Sequence, residues 1–253
     1  MIPAVYALIP DSTMLTYTRL SRIIQDLCSG INLTWQPEQF TTDFELSAIK
    51  AINLIFPFCQ LKCCLFHFSQ SIWRNVGKHG LVPRYKSDDS DVKMAVKRIA
   101  ALPFLIVDDI DKIYDQIKAE ASADDSFKNF LDYFERTYLI NDARFPKEIW
   151  NHFDDRDPRT NNHVEGWHSA LNKTVGRHHA NIYQFIETII KHQNNYEVQI
   201  LIASNGTRTK LNKKYAGINQ RILNLTKDYS ENIISSIEFI DKVKQCLFLS
   251  DAQ

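Results

Sequence analysis

Apolar positions in the amino-terminal third of the chain alternate between short unbroken runs and helical spacing, whereas beyond Asp88 only the helical spacing remains. Ile2–Pro10 (IPAVYALIP) is an apolar, β-branched and aromatic run closed by proline, which predicts a strand. Asp11 or Ser12 then caps a helix over Thr13–Cys28, with Leu15, Tyr17, Leu20, Ile23, Ile24 and Leu27 as its apolar face and Gly30 as its stop. Gln39–Thr42 reads as a second strand, ending in Asp43. A helix over Phe44–Ile55 buries Leu46, Ile49 and Ile52 and stops at Pro57. Cys59–Phe66 (CQLKCCLF) is a third strand, and His67–Val76 begins the next helix. Strand, helix and strand in this order imply a parallel pair, because the crossover is long enough to return the chain to the same end of the sheet.

The rest is helical. Amphipathic spacing predicts helices over 88–102, 109–121, 126–139 and 147–153, joined by short polar connections. Asp154–Pro158 (DDRDP) is an acidic loop before a further helix, which begins near Arg159. In that helix Val164, Trp167 and Leu171 form an apolar stripe. Asn161, Glu165, His168 and Asn172 form a second, polar line. Helices over 181–204, 213–225 and 230–247 close the chain. The pattern divides it into a strand-bearing unit at 1–82, an all-helical stretch at 83–158, a Glu165 helix with the long helix at 159–205, and a helical segment at 206–253.

Composition sharpens this reading. Among 253 residues 44% are hydrophobic and 24% charged, as in ordinary globular proteins, and 7 glycines suit a mostly helical chain. Lys+Arg and Asp+Glu are both 30, so no global field draws in nucleic acid and any such surface must be local. The five cysteines are odd in number and partly clustered, which points to a reducing compartment, not a disulfide framework. No apolar run reaches membrane-spanning length, and Met1–Pro10 lacks the basic start and small-residue cleavage site of a signal peptide.

Several residues could carry chemistry, each with a blander alternative. Asp43 stands at the carboxyl end of a parallel strand, where α/β folds bind ligands, and with Glu165 it could hold a divalent metal through oxygen. Alternatively Asp43, or Thr42 with Glu45, caps the following helix. Asn162 and Glu165 likewise fit a capping box. Cys64 and His67 form a C-x2-H pair, half of a zinc site at most. Arg74 and Lys78, and Lys173 and Arg177, lie in local basic groups that suit phosphate contacts or a solvated surface. Cys63 and Cys64 lack the histidine and asparagine spacing of a thiol nucleophile.

Thr42-Asp43-Phe44-Glu45, Phe56-Pro57, Cys64-Leu65-Phe66-His67-Phe68-Ser69-Gln70 and Thr160-Asn161-Asn162-His163-Val164-Glu165-Gly166-Trp167-His168 occur in this order, and together they resemble the Mutator-like element (MULE) transposases. Tyr6–Pro10 and the Tyr17 helix resemble the segment preceding the TDFE strand in that family. The likeness spans residues 1 to 205.

The resemblance implies an α/β, mostly helical fold: a ribonuclease H-like core with an all-helical insertion before the last acidic residue. It implies a DDE carboxylate triad, with Asp43 as the second aspartate and Glu165 as the glutamate. Mg²⁺ or Mn²⁺ would be the cofactor and DNA the partner. Asn161, Asn162 and His168 would support the site, and Cys64 and His67 match the family's C-x2-H signature. A nucleus is the implied location in a eukaryote, otherwise the cell interior; a homo-oligomer is compatible, a membrane is not.

One departure matters. The family's first aspartate lies on a D-G-T-F-like strand, and no such motif occurs in this sequence, nor does a zinc-binding DNA-recognition domain. The expectation is a carboxyl-terminal remnant of the catalytic domain, inactive alone and with no metal bound, or a non-enzymatic DNA- or protein-binding module. Gln39–Thr42 should then pair with Cys59–Phe66 alone, and Asp43 should approach Glu165 at one end of the sheet.

Overall fold

The computed structural model describes residues 3–87, 91–120, 124–155, 171, 173–175, 181–204 and 213–247. It opens with an irregular segment and then α1 (Met14–Gly30). There follow β1 (Gln39–Thr42), α2 (Leu46–Ile55), β2 (Gln60–Cys63), α3 (Leu65–Lys78), α4 (Val82–Lys86) and α5 (Asp91–Ala101). Next come α6 (Val107–Glu120), α7 (Asp125–Tyr138), α8 (Lys147–Trp150), α9 (Ile182–Ser204), α10 (Lys213–Ser230) and α11 (Ser236–Val243). A mostly helical α/β chain is therefore what the sequence folds into.

The two strands pair in parallel, with Thr41 opposite Lys62 and Thr42 opposite Cys63, as the strand–helix–strand pattern requires. The amide of Gln60 donates to Glu38 and that of Cys64 to Thr42. Because backbone groups alternate in direction along a strand, Leu61 and Cys63 turn theirs to the other edge.

Three expectations need correction. Among residues 3–10 no strand forms: Val5 and Leu8 are exposed and nothing in the described sheet pairs with them. Apolar composition supplies strand propensity, but a strand exists only with a partner. The third strand is half its expected length, because Cys64 is already the N-cap of α3 and Phe66 and His67 lie in its first turn. The last helix starts at Ser236, not Ser230. Asn232 turns left-handed at φ 57°, and Ser235 with Glu238 forms a reciprocal capping box. Two ends shift slightly. Thr13 caps α1, supported by the Asp11 carboxylate, and Gly30 is its last residue, not its stop.

α3 shows why the strand-bearing unit and the helices are one body. Leu65, Phe68, Ile72 and Val76 fall at helical spacing and are all buried. Phe68 stacks on Trp150 of α8, with ring centroids 5.2 Å apart, and meets Tyr138 of α7 edge-on at 5.2 Å. The polar atoms in this aromatic core are satisfied: Trp150 Nε1 donates to the Phe145 carbonyl and the Tyr138 hydroxyl to Ser71. The carboxyl-terminal helices dock on the same body. Arg98 of α5 forks onto both oxygens of Asp241, and Asp109 accepts from Ser236 and Tyr229.

Candidate functional site

The carboxyl end of the sheet is built by two consecutive residues facing opposite ways. Phe44 turns inward, its ring edge-on to Phe145 at 4.9 Å and to Tyr138 at 5.9 Å. Asp43 is exposed. The N-cap of α2 is Glu45, with no side-chain hydrogen bond to the helix, so neither Asp43 nor Thr42 serves as a cap. Glu45 instead accepts from the Tyr17 hydroxyl at 2.9 Å, tying α1 to the strand end. Burial, followed by this carboxylate environment, keeps the Tyr17 hydroxyl protonated beyond its ordinary range. Among the described residues no cation pairs with Asp43, and its carboxylate accepts a hydrogen bond from the Thr42 hydroxyl, at 3.5 Å.

Cys63 supports this end from behind. It is fully buried, and its thiol approaches the Asp43 carbonyl at 3.7 Å. Burial, with the nearby Asp43 charge, pushes that thiol up to about 12, so it is no nucleophile at neutral pH.

Beside Cys63 lies a polar cluster without a sequence motif. Lys62, only 8% exposed, donates to the carbonyl of Asn151 at 2.7 Å and to that of Glu148 at 3.3 Å. Its ammonium stands 3.8 Å from Asp155. His152, 1% exposed, places Nε2 3.0 Å from the Cys63 carbonyl and Nδ1 2.5 Å from Asp155. The amide of Asn151 donates to Leu105 at 2.7 Å, closing the cluster. A lysine in the middle of a buried strand is the signal that reveals it, since a buried ammonium needs partners.

Cys64 is buried and His67 half-buried, its ring edge-on to Phe66 at 5.5 Å. Arg74 and Lys78 are one turn apart on the exposed side of α3, and Lys173 is exposed. Asn161, Asn162, Glu165, His168 and Arg177 lie outside the described residues, as does the approach of Asp43 to Glu165. Among the described residues no three of His, Cys, Asp and Glu gather as a metal-holding group. As a donor, Asp43 fits a hard cation such as Mg²⁺: it is an exposed carboxylate with no capping duty and, among the described residues, no counter-ion. It needs further oxygen ligands.

Residues 1–71 match the family model of the MULE transposase domain. That stretch is Mutator-like transposase sequence. The MULE match includes Asp43, Cys64 and His67 and stops short of Glu165. No curated protein and no solved structure matches the chain. Among the described residues no helix is long and apolar enough to cross a membrane.

Proposed function

We propose that the chain is a transposon-derived protein of the DDE transposase type, in which Asp43 and Glu165 are two of three metal-binding carboxylates. The observation that carries this reading is Asp43 itself. It lies within the MULE-matched stretch, at the carboxyl end of a parallel strand, and among the described residues it serves neither a helix cap nor an ion pair. The β1–α2–β2–α3 unit is then part of a ribonuclease H-like core, and the helices from α5 to α8 are its insertion.

When bound, Mg²⁺ or Mn²⁺ would supply Lewis acidity toward a water or 3′-hydroxyl and toward the leaving oxygen of a phosphodiester. Asp43 and Glu165 would hold the ion. Phe44 fixes the strand end by its packing, so the carboxylate before it is presented outward. Arg74, Lys78 and Lys173 are exposed cations suited to DNA phosphates, as partners of the kind the family implies. Asn161, Asn162 and His168 would support the Glu165 side. Such DNA work belongs in the nucleus of a eukaryote, and a homo-oligomer remains compatible with it.

No D-G-T-F-like motif, on which the family carries the first aspartate of its triad, occurs in these 253 residues. We therefore infer that the chain alone does not cut DNA and acts by binding it. The test is Mg²⁺-dependent nicking of supercoiled plasmid, with filter binding of duplex DNA in parallel. The expected result is no nicking. Duplex binding should weaken, with its salt slope reduced by about 1 for each of Arg74→Ala and Lys78→Ala. Nicking that needs Mg²⁺ and disappears in Glu165→Gln would overturn the inactive reading.

A further inference from the structure

We propose that His152, Asp155 and Lys62 are positioning residues for the Asp43 carboxylate. The proposal rests on the reading of Asp43 as a metal ligand. It begins with the edge of β2 that faces away from β1. Cys63 turns its carbonyl to that edge, and His152 covers it. A carbonyl only accepts, so His152 donates from Nε2, and Asp155 holds the ring by Nδ1. The amide of Asp155 closes on the His152 carbonyl at 3.4 Å, making the pair a compact turn.

Contacts then run from this turn to the backbone of Asp43, which carries the carboxylate. Asp155 orients His152, His152 holds the Cys63 carbonyl, and the Cys63 thiol meets the Asp43 carbonyl at 3.7 Å. Lys62 fastens the same turn from below, through the carbonyls of Glu148 and Asn151 and through Asp155. On the far side the amide of Cys64 donates to Thr42 at 2.7 Å, next to Asp43. Cys63 is thus gripped on both flanks, and Asp43 inherits its placement. A ligand held this way loses little freedom on taking up a metal, and groups that orient a ligand commonly set its affinity.

Mn²⁺ binding, followed by electron paramagnetic resonance on the full chain, tests this without relying on activity. The variants are Asp43→Asn, Asp155→Ala, His152→Ala and His152→Gln, whose amide can still donate toward Cys63. Unfolding midpoints are recorded in parallel, so that affinity is compared on folded protein. Asp155→Ala and His152→Ala should each weaken Mn²⁺ binding about tenfold or more, and His152→Gln should weaken it less than His152→Ala. Should His152→Ala fail to fold, Asp155→Ala decides. Wild-type affinity in Asp155→Ala and His152→Gln, alongside a loss in Asp43→Asn, overturns the positioning role. Full affinity in Asp43→Asn, or no Mn²⁺ uptake by the wild-type chain, overturns the metal reading and this inference with it.

Discussion

Lys62 Nζ reaches the carbonyl of Asn151 at 2.7 Å across 89 positions of sequence. This bond joins the middle of the second strand to the loop that follows α8, inside the protein. Replacing Lys62 with methionine keeps the apolar stem but leaves two carbonyls without a donor and Asp155 without its ammonium. Removing one partner of a buried pair costs about 3 kcal/mol. Urea denaturation should show a lowered midpoint for Lys62→Met with an unchanged slope. An unmoved midpoint would show that water replaces the ammonium at no cost.

Two phenylalanines ten positions apart should behave oppositely. Phe68 is fully buried between Trp150 and Tyr138, so Phe68→Ala should destabilise by about 4 kcal/mol. Phe58 is 97% exposed, and Phe58→Ser should stay within about 0.5 kcal/mol of the parent. Thermal or chemical unfolding of both variants checks the assignment of inside and outside.

Acid should release the carboxyl-terminal helices. Burial alone would raise Asp109 and Asp241. Hydrogen bonds from Tyr229 and Ser236 to the first, and from Arg98 and Lys244 to the second, outweigh it and hold both below the usual carboxylate range. A depressed folded value means stability is present above the unfolded value of about 3.9 and is lost as pH falls through the folded one. Tyr229 works in the opposite sense. Burial, then the bond to Asp109, raises it to about 12, so its contribution holds below pH about 10 and is lost as pH climbs through the folded value. Melting temperature measured across pH should therefore fall at both extremes. The acid fall should be shallower in Asp109→Asn with Asp241→Asn.

Self-association is expected through the sheet. The described sheet has two strands, and unpaired strand edges recruit other chains. Thr41 lies between residues whose backbones bond β2, so its own N–H faces away. Thr41→Pro removes that donor, and sedimentation velocity should show less concentration-dependent association than for the parent chain. Equal association in both would move the sticky surface elsewhere, with exposed Leu201 of α9 the next candidate.

How much of this was readable from sequence depended on whether the cause was local. The limits of β1 follow from a short β-prone run, and the parallel pairing from the intervening helix. Ser235 and Glu238 carry an S-x-x-E start signal that marks α11, though apolar spacing alone runs through it. Asp43 was ambiguous between cap and site, and only the geometry of α2 removes the capping alternative. Ile2–Pro10 shows the reverse failure, since its residue types suit a strand and no partner is present in the described sheet. The grip on Cys63 was hidden because its members are 89 positions apart and follow no spacing. A charged residue inside QLKC was the clue, and it names no partner.

The two margins of the sheet are unlike. Lys62 and His152 seal one side of β2, while β1 leaves Gln39 and Thr41 with outward backbone groups and no described strand beside them. Growth of this sheet is therefore directional. An incoming strand, from the same polypeptide or another, finds the open backbone groups next to β1, which would become the centre of a three-stranded sheet. Asp43 would then stand between two neighbours instead of at a border, and whatever side chain ends the newcomer would face it.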